Sequence, residues 1–367
     1  MKKVLHILNE LKPSGAEVML NSSFMYWKDQ GFQSEILSTG YQLGNYAENL
    51  KKSGYKIHHI PYKTKFGFIK NVFRFLKINN YDVIHIHTER ANFVYSILSK
   101  AVKAPSIVRT IHSCFLGSRL GRRKRTIERL LVKKLGIKQI SIGPSVTKAE
   151  QINFNNKTNV ILNWYDSNRF CYIDKNERTA IRNQLSIDSD TFMIVSVGNC
   201  SDIKNHKEII KSLSLLPLKS NFIYFHIGQE EKHMSERLLV KELGLENKVK
   251  FLGYIEDVRP YLWSSDAYVM PSLHEGLSIA ALEALATGAN CIFSDTQGLQ
   301  DFKRYCSNIN WVKPNANDIS KSIITLMQKT KENRLKDAYQ DAAKLKEVFG
   351  IERGVTEYIK IYNGELI

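Results

Sequence analysis

The sequence lacks any long apolar run, and this absence limits the class of protein. No stretch approaches the roughly 18 consecutive apolar residues that a membrane-spanning helix requires. The N-terminus passes from Met1 to Lys3 directly into the strand-like segment 4–9, without the pattern of a secretory signal. We expect a protein that is neither secreted nor membrane-spanning.

Cysteines are few and form no pattern. They are odd in number, widely scattered and never two residues apart, so the sequence indicates neither a disulfide framework nor a zinc site. The five are Cys114, Cys171, Cys200, Cys291 and Cys306. A reducing cytoplasm is the compartment that this usage favours.

Acidic residues are scarce in the first part of the chain. The sequence has 53 Lys and Arg against 36 Asp and Glu, a formal net charge of +17. Residues 1–165 hold 27 of the basic and only 9 of the acidic residues, which leaves 26 and 27 for the remainder. An excess confined to one half indicates that this half faces something anionic.

Length and periodicity predict two α/β domains. The 367 residues exceed the usual single-core limit of roughly 250 to 300. Short apolar runs alternate with longer helical patterns on both sides of an Asn-rich stretch near 153–168, which is typical of two doubly wound parallel sheets. The runs are 4–9, 34–39, 56–60, 82–87, 106–111 and 139–142, then 192–198, 222–228, 248–252, 267–270 and 291–294.

We expect an N-terminal domain at 1–165, a second domain at 166–345 and a final helix at 346–367 that returns to the first domain. Ligands of open parallel sheets lie beyond the carboxyl ends of the strands. Two such domains facing each other would hold a ligand in a central cleft between them.

Two strand-to-helix turns carry residues suited to a diphosphate. Gly15 follows the first strand, where a glycine lets the backbone approach a ligand and a helix start offers N–H groups. Lys204 follows the first strand of the second half and can place its ammonium against a leaving diphosphate. An ordinary tight turn and a surface lysine explain the same residues.

Residues 271–288 form the most informative segment, with Glu275 in a loop and Glu283 inside the helix that follows. The helix is predicted to begin near Ser278 and to bury Ile279, Leu282 and Ala286. An N-terminal Glu favoured by the helix dipole and a surface Glu are the simpler explanation. That explanation leaves Glu283 alone in an apolar helix, where a buried carboxylate needs a polar partner.

This segment, Pro-Ser-Leu-His-Glu-Gly-Leu-Ser-Ile-Ala-Ala-Leu-Glu-Ala-Leu-Ala-Thr-Gly, resembles the signature of retaining glycosyltransferase family 4, of the kind found in bacterial surface-polysaccharide synthesis. Further segments fall in the family's order and spacing, so the resemblance covers nearly the whole chain. They are 14–17, 82–87, 110–112, 163–166, 204–206 and 251–254.

The resemblance implies a GT-B fold that moves a sugar from a UDP- or GDP-linked donor to a glycan or lipid-linked saccharide. Glu283 would then bind the donor ribose, Glu275 a hydroxyl of the transferred sugar, and Lys204 the departing diphosphate. Other residues would border the donor: Gly15 and backbone groups of Gly276, Leu277, Ser278 and Ile279 at the diphosphate or sugar, Tyr254 and Ile255 at the base, and His112 at the sugar.

Two departures from the family pattern concern the diphosphate. Asn199 stands where an Arg is common, so Lys204 would act with another base such as Arg109 or a residue near Lys12. Ser14 stands where a second glycine is frequent. No Asp-x-Asp follows a strand, and we expect no metal or other cofactor; retention would proceed by attack from the face of departure, with a donor phosphate oxygen assisting.

Two polar features away from these motifs favour structural roles. His85 and His87 lie two residues apart on one strand face, which suits a metal pair, but no third ligand is evident. A core or cleft-edge role is therefore favoured. Asp266, just before a strand, is interpreted as a structural polar contact.

The basic excess is densest between 118 and 138, where Ile127, Leu130, Leu131 and Leu135 recur at helical spacing. One interpretation packs this apolar stripe on its own domain. The other attaches the helix to the anionic inner face of the cell membrane, near a lipid-linked acceptor. The cations assigned to that surface are Arg119, Arg122, Arg123, Lys124 and Arg125. A second basic stretch, 63–77, carries Phe66, Phe68, Phe73 and Phe75.

Three other functions remain open from the sequence. A hydrolase or epimerase of the same fold would use the same donor. The basic domain could bind nucleic acid, but it lacks interleaved aromatic residues and any nucleic-acid motif. A non-catalytic partner subunit is compatible with Asn199.

Overall fold

The computed structural model describes residues 1–114, 119–330, 332–334 and 344–365. The chain forms two compact units. Unit 1 comprises Met1–Tyr165 and Phe349–Ile367, and unit 2 comprises Asp166–Val348. The chain therefore re-enters unit 1 at Phe349 and not at 346.

Unit 1 is built on a seven-stranded sheet in the order β3-β2-β1-β4-β5-β6-β7, with every pairing parallel. Its central strands are rich in buried Val and Ile, as expected for strands covered on both faces. The strands are β1 Lys2–Leu8, β2 Phe32–Ser38, β3 Lys56–His59, β4 Val83–Ile86, β5 Ser106–Ile111, β6 Lys138–Ser141 and β7 Asn159–Val160.

Unit 2 repeats this arrangement with six parallel strands in the order β10-β9-β8-β11-β12-β13. The strands are β8 Phe192–Val197, β9 Phe222–Ile227, β10 Val249–Phe251, β11 Ala267–Met270, β12 Cys291–Ser294 and β13 Asn310–Val312. In each sheet the strand order reverses between two neighbours, β1 and β4 or β8 and β11, where such folds usually bind ligands.

Helices connect the strands. They are α1 Gly15–Asp29, α2 Ala47–Ser53, α3 Lys65–Asn79, α4 Asn92–Ala101, α5 Arg119–Lys134, α6 Pro144–Phe154, α7 Lys175–Gln184, α8 His206–Ser214, α9 Ser235–Glu242, α10 Arg259–Ser264, α11 Ile279–Ala286, α12 Ala316–Gln328 and α13 Ile351–Tyr362. A 3₁₀ helix spans Leu299–Arg304. No helix in these described ranges combines the length and apolar character needed to cross a membrane.

The predicted pair of Rossmann-like parallel sheets is confirmed. Two short strands at the sheet edges, β7 and β13, were not predicted. The first has only two residues, both exposed, and the second only three. The equally short β10 (Val-Lys-Phe) alternates apolar and polar residues, but β7 (Asn-Val) and β13 (Asn-Trp-Val) do not show this pattern over three residues.

Buried polar contacts tie distant segments together in both units. The Asp266 carboxylate accepts hydrogen bonds from Arg178 and Arg182 at 3.0 and 3.1 Å and from the Met193 N–H at 2.9 Å, so its structural interpretation is confirmed. In unit 1, the Tyr362 hydroxyl of α13 lies 2.6 Å from His85 Nδ1. The last helix is thereby fastened to the first sheet.

Candidate functional site

In unit 2, two loops meet at the carboxyl ends of β8 and β11. The Leu273 N–H donates to the Ile203 carbonyl at 2.8 Å, and the Asn205 side-chain amide donates to the Pro271 carbonyl at 3.2 Å. The loops after β8 and β11, which carry Lys204 and Glu275, are thus held side by side at the point where the strand order reverses.

Lys204 and Glu275 form an ion pair across these loops. Lys204 Nζ lies 2.7 Å from Glu275 Oε1, with 27% of the lysine side chain and 12% of the glutamate side chain exposed. The sequence analysis gave these residues separate partners, a diphosphate and a sugar hydroxyl. In the structure they pair with each other instead.

The Glu275 loop is fixed from both sides. The Glu275 N–H donates to the Gln297 carbonyl at 2.9 Å, and Ser278 caps α11 by accepting from the Ala281 N–H. Gly298, at φ +92°, packs so closely on the Glu275 and Gly276 carbonyls that any Cβ there would collide with them. Both a positive φ and this close approach require glycine.

Glu283 lies in α11 as the sequence analysis predicted, with Ile279, Leu282 and Ala286 buried around it. Its side chain is 9% exposed, and none of the described residues hydrogen-bonds to its carboxyl group. Burial raises the pKa of Glu283 to about 8, Arg169 opposes the rise, and Asp166 and Asp257 add to it. The carboxyl group is therefore mostly protonated at neutral pH.

Tyr268 shows that the two glutamates share one region. Burial first, and then the nearby Cys291, Glu283 and Glu275, raise the pKa of its hydroxyl well above the ordinary value. Tyr254 and Ile255 follow β10 at the same sheet edge, with Tyr254 43% exposed and Ile255 half-buried. Arg169 was missed by the sequence analysis because no strand-end or helix pattern marks its position.

Asn199 has a definite structural contact. Its Oδ1 accepts a hydrogen bond from the Gln229 N–H at 2.9 Å, which ties the loop after β8 to the loop after β9. Gly228 packs directly on the Gly198 carbonyl in the same place. An Arg side chain has no acceptor for that N–H. Asn199 is thus an acceptor that fastens two loops together.

A buried cluster beneath Lys204 was also missed. Cys200 Sγ lies 3.6 Å from His226 Nε2, and the rings of His206 and His226 pack edge to face at 4.6 Å. The potential ligand atoms of these three residues lie within 4.8 Å of one another. Their spacing along the chain resembles no metal motif, so sequence alone could not find the cluster.

Gly15 and Ser14, which the sequence also places near the diphosphate, lie in unit 1. Gly15 begins α1, and a Cβ added there would meet nothing within 4 Å. Ser14 has an extended backbone that any residue adopts, and its hydroxyl donates to Glu17, so replacement of a second glycine costs this turn nothing. Burial raises the pKa of Glu17 to about 7.

The sequence suggests Arg109, or a residue near Lys12, as a second cation for the diphosphate. Arg109 is fully buried and donates to Glu89 at 2.5 Å and to Gln139 at 2.9 Å. The suggestion of Arg109 is therefore wrong. Lys12 pairs with Glu10 at 3.1 Å.

Three more imidazoles surround the position of His112. His6 Nδ1 lies 3.0 Å from His87 Nε2, and His87 Nδ1 lies 3.0 Å from His112 Nε2. The core interpretation of His85 and His87 is confirmed, since both side chains are buried. His6 supplies the third potential ligand that the sequence did not reveal, with the ligand atoms of the three residues within 4.8 Å of one another. Both ring nitrogens of His85 are already hydrogen-bonded, to Tyr362 and to Thr110.

Helix α5 turns part of its apolar stripe outward. Ile127, Leu130 and Leu131 are 59, 44 and 39% exposed, so the interpretation that packs the stripe on its own domain is wrong for them. Leu135 packs on the core of unit 1. Arg122, Arg123 and Lys124 are exposed, Arg125 approaches Glu89 at 3.8 Å, and the Arg119 side chain lies outside the described residues. Among the four phenylalanines of the second basic stretch, only Phe66 is strongly exposed, at 86%, whereas Phe68 is buried.

Two family models match the chain. One, described as glycosyl transferases group 1, matches residues 177–345, and the other, described as glycosyltransferase family 4, matches residues 13–140. The first contains Lys204, Glu275 and Glu283, and the second contains Gly15 and His112.

Individual relatives are distant but cover much of the chain. An uncharacterized glycosyltransferase of Methanocaldococcus jannaschii, MJ1607, is 25% identical over 77% of each chain. An Escherichia coli UDP-Gal:alpha-D-GlcNAc-diphosphoundecaprenol alpha-1,3-galactosyltransferase is 24% identical over 62% of this chain and 61% of its own. The crystal structure of Anabaena HepE in complex with UDP and glucose matches 99% of this chain and all of its own with a TM-score of 0.82 at 18% identity, which supports the fold.

The raised pKa of Glu283 predicts how the stability of the protein depends on pH. Because the folded-state pKa exceeds that of an unfolded glutamic acid, the folded protein binds more protons between about pH 4.5 and 8. We expect wild type to lose stability relative to Glu283→Gln as pH rises through this window, by about 1.4 kcal/mol for each unit of pKa difference. Urea unfolding at pH 5, 7 and 9 measures this.

Glu246→Gln, at an exposed position of the same unit, is the control and should leave the pH dependence unchanged. A pH-independent difference between wild type and Glu283→Gln would show that the buried carboxyl group ionises normally.

Proposed function

The chain belongs to the GT-B glycosyltransferases of family 4, and from this membership we propose that it is a retaining enzyme of surface-polysaccharide synthesis. It moves a sugar from a nucleoside-diphosphate sugar to a glycan acceptor carried on a lipid. The observation that carries the proposal is Glu283, a buried carboxyl group without a hydrogen-bond partner among the described residues, at the strand-order reversal of a Rossmann-like sheet.

The relatives support the kind of substrate. HepE was crystallised with UDP and glucose, and the Escherichia coli relative is named for a UDP-linked galactose donor and a diphosphoundecaprenol acceptor. We propose a UDP- or GDP-linked donor for this chain. Its ribose hydroxyls donate to Glu283, and this contact favours the ionised carboxyl group, which burial disfavours.

The proposed transfer needs no metal ion. The acceptor oxygen forms a bond to the anomeric carbon on the face from which the diphosphate departs, the bond from that carbon to the phosphate oxygen breaks, and the acceptor proton passes to a donor phosphate oxygen. Lys204 neutralises the departing diphosphate, assisted by backbone N–H groups of Gly276 to Ile279 at the start of α11.

The other roles follow the family resemblance. Glu275 accepts from a hydroxyl of the transferred sugar once Lys204 has turned to the diphosphate. Tyr254 and Ile255 border the base, and Asn199 supports the diphosphate loop through Gln229. Gly15 offers its backbone to the diphosphate, and His112 contacts the transferred sugar.

The function is tested by donor turnover with and without a lipid-linked saccharide acceptor. We expect release of UDP or GDP to depend on the acceptor, with retention at the anomeric carbon seen by NMR of the product, and to survive EDTA. Equal turnover without acceptor would favour a hydrolase or epimerase. No turnover and no nucleotide binding would favour a non-catalytic subunit, and loss of transfer with EDTA would contradict the metal-independent mechanism.

The Lys204–Glu275 pair generates the sharpest mutational prediction. Lys204→Ala should weaken UDP or GDP binding about 10- to 100-fold, since one charge-assisted contact worth about 1.5–3 kcal/mol is lost. Glu275→Gln should leave nucleotide binding equal or tighter, because Lys204 is released from its partner, while transfer falls about 10- to 100-fold. Calorimetry and initial rates separate the two effects.

Lys207→Ala is the matched control, because it removes the same charge three residues away at a 41% exposed side chain. Weaker nucleotide binding in Glu275→Gln would show that Glu275 contacts the nucleotide and not the sugar.

We also propose that α5 places the enzyme on an anionic membrane surface. Ile127, Leu130 and Leu131 form one exposed apolar face, and Arg123 and Lys124 stand beside it, which is the pattern of a helix that lies in a lipid interface. We assign anionic lipid as the partner of this surface because the neighbouring charges are positive and the proposed acceptor is lipid-linked.

Co-sedimentation with liposomes tests this attachment. Binding should rise with the anionic lipid fraction, fall with salt, and drop roughly hundredfold at low salt when Arg122, Arg123 and Lys124 become Ser, at about 1 kcal/mol per charge. Replacing Ile127, Leu130 and Leu131 by Ser should also lower it. The control replaces the exposed Lys219, Lys241 and Lys250 of unit 2 by Ser. Equal losses in the control would reduce the effect to net charge alone.

A further inference from the structure

Four imidazoles lie at the strand-order reversal of unit 1, beside Tyr358 and Tyr362 of α13. Of these residues, only His112 has a role in the proposed function. The register explains part of their grouping, because His6 of β1 pairs with His85 of β4. His87 follows β4 on the same face as His85, His112 follows β5, and the four imidazoles form a row. His6, His85 and His87 are at most 8% exposed, and His112 is half-buried. The row therefore runs from the core toward the carboxyl edge of the sheet.

Two sets of contacts divide this row. The ring of His85 lies tilted against that of His87, with 4.0 Å between ring centroids, but its nitrogens are hydrogen-bonded to Tyr362 and Thr110. His6, His87 and His112 instead meet edge to edge through two N···N contacts of 3.0 Å, with ring centroids 5.3 and 5.2 Å apart. Only the second set forms a continuous chain that ends at His112.

His6, His87 and His112, the three imidazoles linked by these hydrogen bonds, are all neutral at pH 7. Burial lowers the pKa of His6 to about 3 and of His112 to about 4, and lowers that of His87 well below its ordinary value. A neutral imidazole has one N–H donor and one bare acceptor nitrogen. The two hydrogen bonds must consequently run in the same direction along the chain.

His6 selects that direction. Its Nε2 is buried and has no hydrogen-bond partner in the described part of the chain. If the hydrogen bonds ran inward, with His112 donating to His87 and His87 donating to His6, Nε2 of His6 would carry an N–H without an acceptor. Such a group is rarely left unpaired in protein interiors. If they run outward, His6 Nδ1–H donates to His87, and His87 Nδ1–H donates to His112 Nε2. His112 then carries its own proton on Nδ1.

We propose that His6 and His87 are positioning residues that hold His112 as the Nδ1–H tautomer, so that it presents a hydrogen-bond donor and not an acceptor to its ligand. The ligand rests on the proposed function: it is a hydroxyl or ring oxygen of the transferred sugar. No described residue hydrogen-bonds to His112 Nδ1, so this donor remains for that oxygen. The tautomer itself follows from the chain of imidazoles whatever the ligand is.

Nitrogen NMR of the full-length protein with ¹⁵N-labelled histidine measures the tautomer directly. Signals of His112 are assigned by their loss in His112→Asn. We expect Nδ1 of His112 to be protonated in wild type and to become a mixture in His87→Phe, which cannot donate. His87→Asn should restore the wild-type tautomer, because the Asn amide places an N–H where His87 has Nδ1.

His85→Phe is the matched control, since it replaces a buried imidazole of the same strand that lies outside the chain of donors. The Nδ1–H tautomer should persist in it. Protonation of His112 on Nε2 in wild type, or an unchanged His112 in folded His87→Phe, would overturn the proposal. So would loss of the tautomer in His85→Phe to the same extent.

Kinetics then connects the tautomer to transfer. His87→Phe should lower kcat roughly tenfold, equivalent to about 1.4 kcal/mol, with UDP or GDP affinity unchanged, and His87→Asn should recover most of the loss. An unchanged kcat in a His87→Phe protein with an altered tautomer would overturn the donor role toward the sugar. Absence of any transferase activity in wild type, with the expected NMR result, would instead refute the proposed function and leave the tautomer assignment standing.

Discussion

Every strand pairing in the described part of both sheets is parallel, and this constraint decides where chemistry can be placed. Parallel strands deliver all of their outgoing loops to one edge, and the reversal of strand order opens a gap between two of those loops. Lys204 and Glu275 are 71 residues apart in the chain, yet they leave neighbouring strands, β8 and β11, and so meet at 2.7 Å. The same constraint groups His6, His87 and His112.

Local patterns were sufficient to predict elements and single positions. Glu283 was expected inside an apolar helix because a charge among Ile, Ala and Leu is conspicuous, and the structure places it there, buried. The edge strands β7 and β13 were missed because neither holds the apolar–polar–apolar alternation that marks the equally short β10. Asn199 was interpreted as a missing cation, whereas its partner is a backbone N–H thirty residues away that no local pattern reveals.

Orientation was harder to predict than identity. The stripe of α5 was recognised from spacing, but spacing alone does not say which face of a helix meets the core. The buried Arg129 decides this. It bonds Glu150 at 2.6 Å and Glu89 at 3.0 Å, and it thereby takes the inward face and turns Ile127 and Leu131 outward. A charged residue on the inward face was not anticipated, because an isolated buried charge is costly; the two carboxylates offset that cost.

Lys204, Glu275 and Glu283 together are close to electrical neutrality, and under the proposed function this balance has a consequence for donor binding. Glu275 compensates Lys204, and burial keeps Glu283 protonated near neutral pH. Under the proposed function, a nucleoside diphosphate would bring anionic oxygens that compete with Glu275 for Lys204, and ribose hydroxyls that would stabilise the ionised form of Glu283. On this proposal, binding exchanges the partner of one carboxylate and releases a proton from the other. Donor affinity should therefore increase with pH up to about 8 and change little above it, where Glu283 is ionised before the donor binds. The two glutamates of the signature therefore differ before a donor binds. Glu275 is paired with Lys204, whereas Glu283 is protonated.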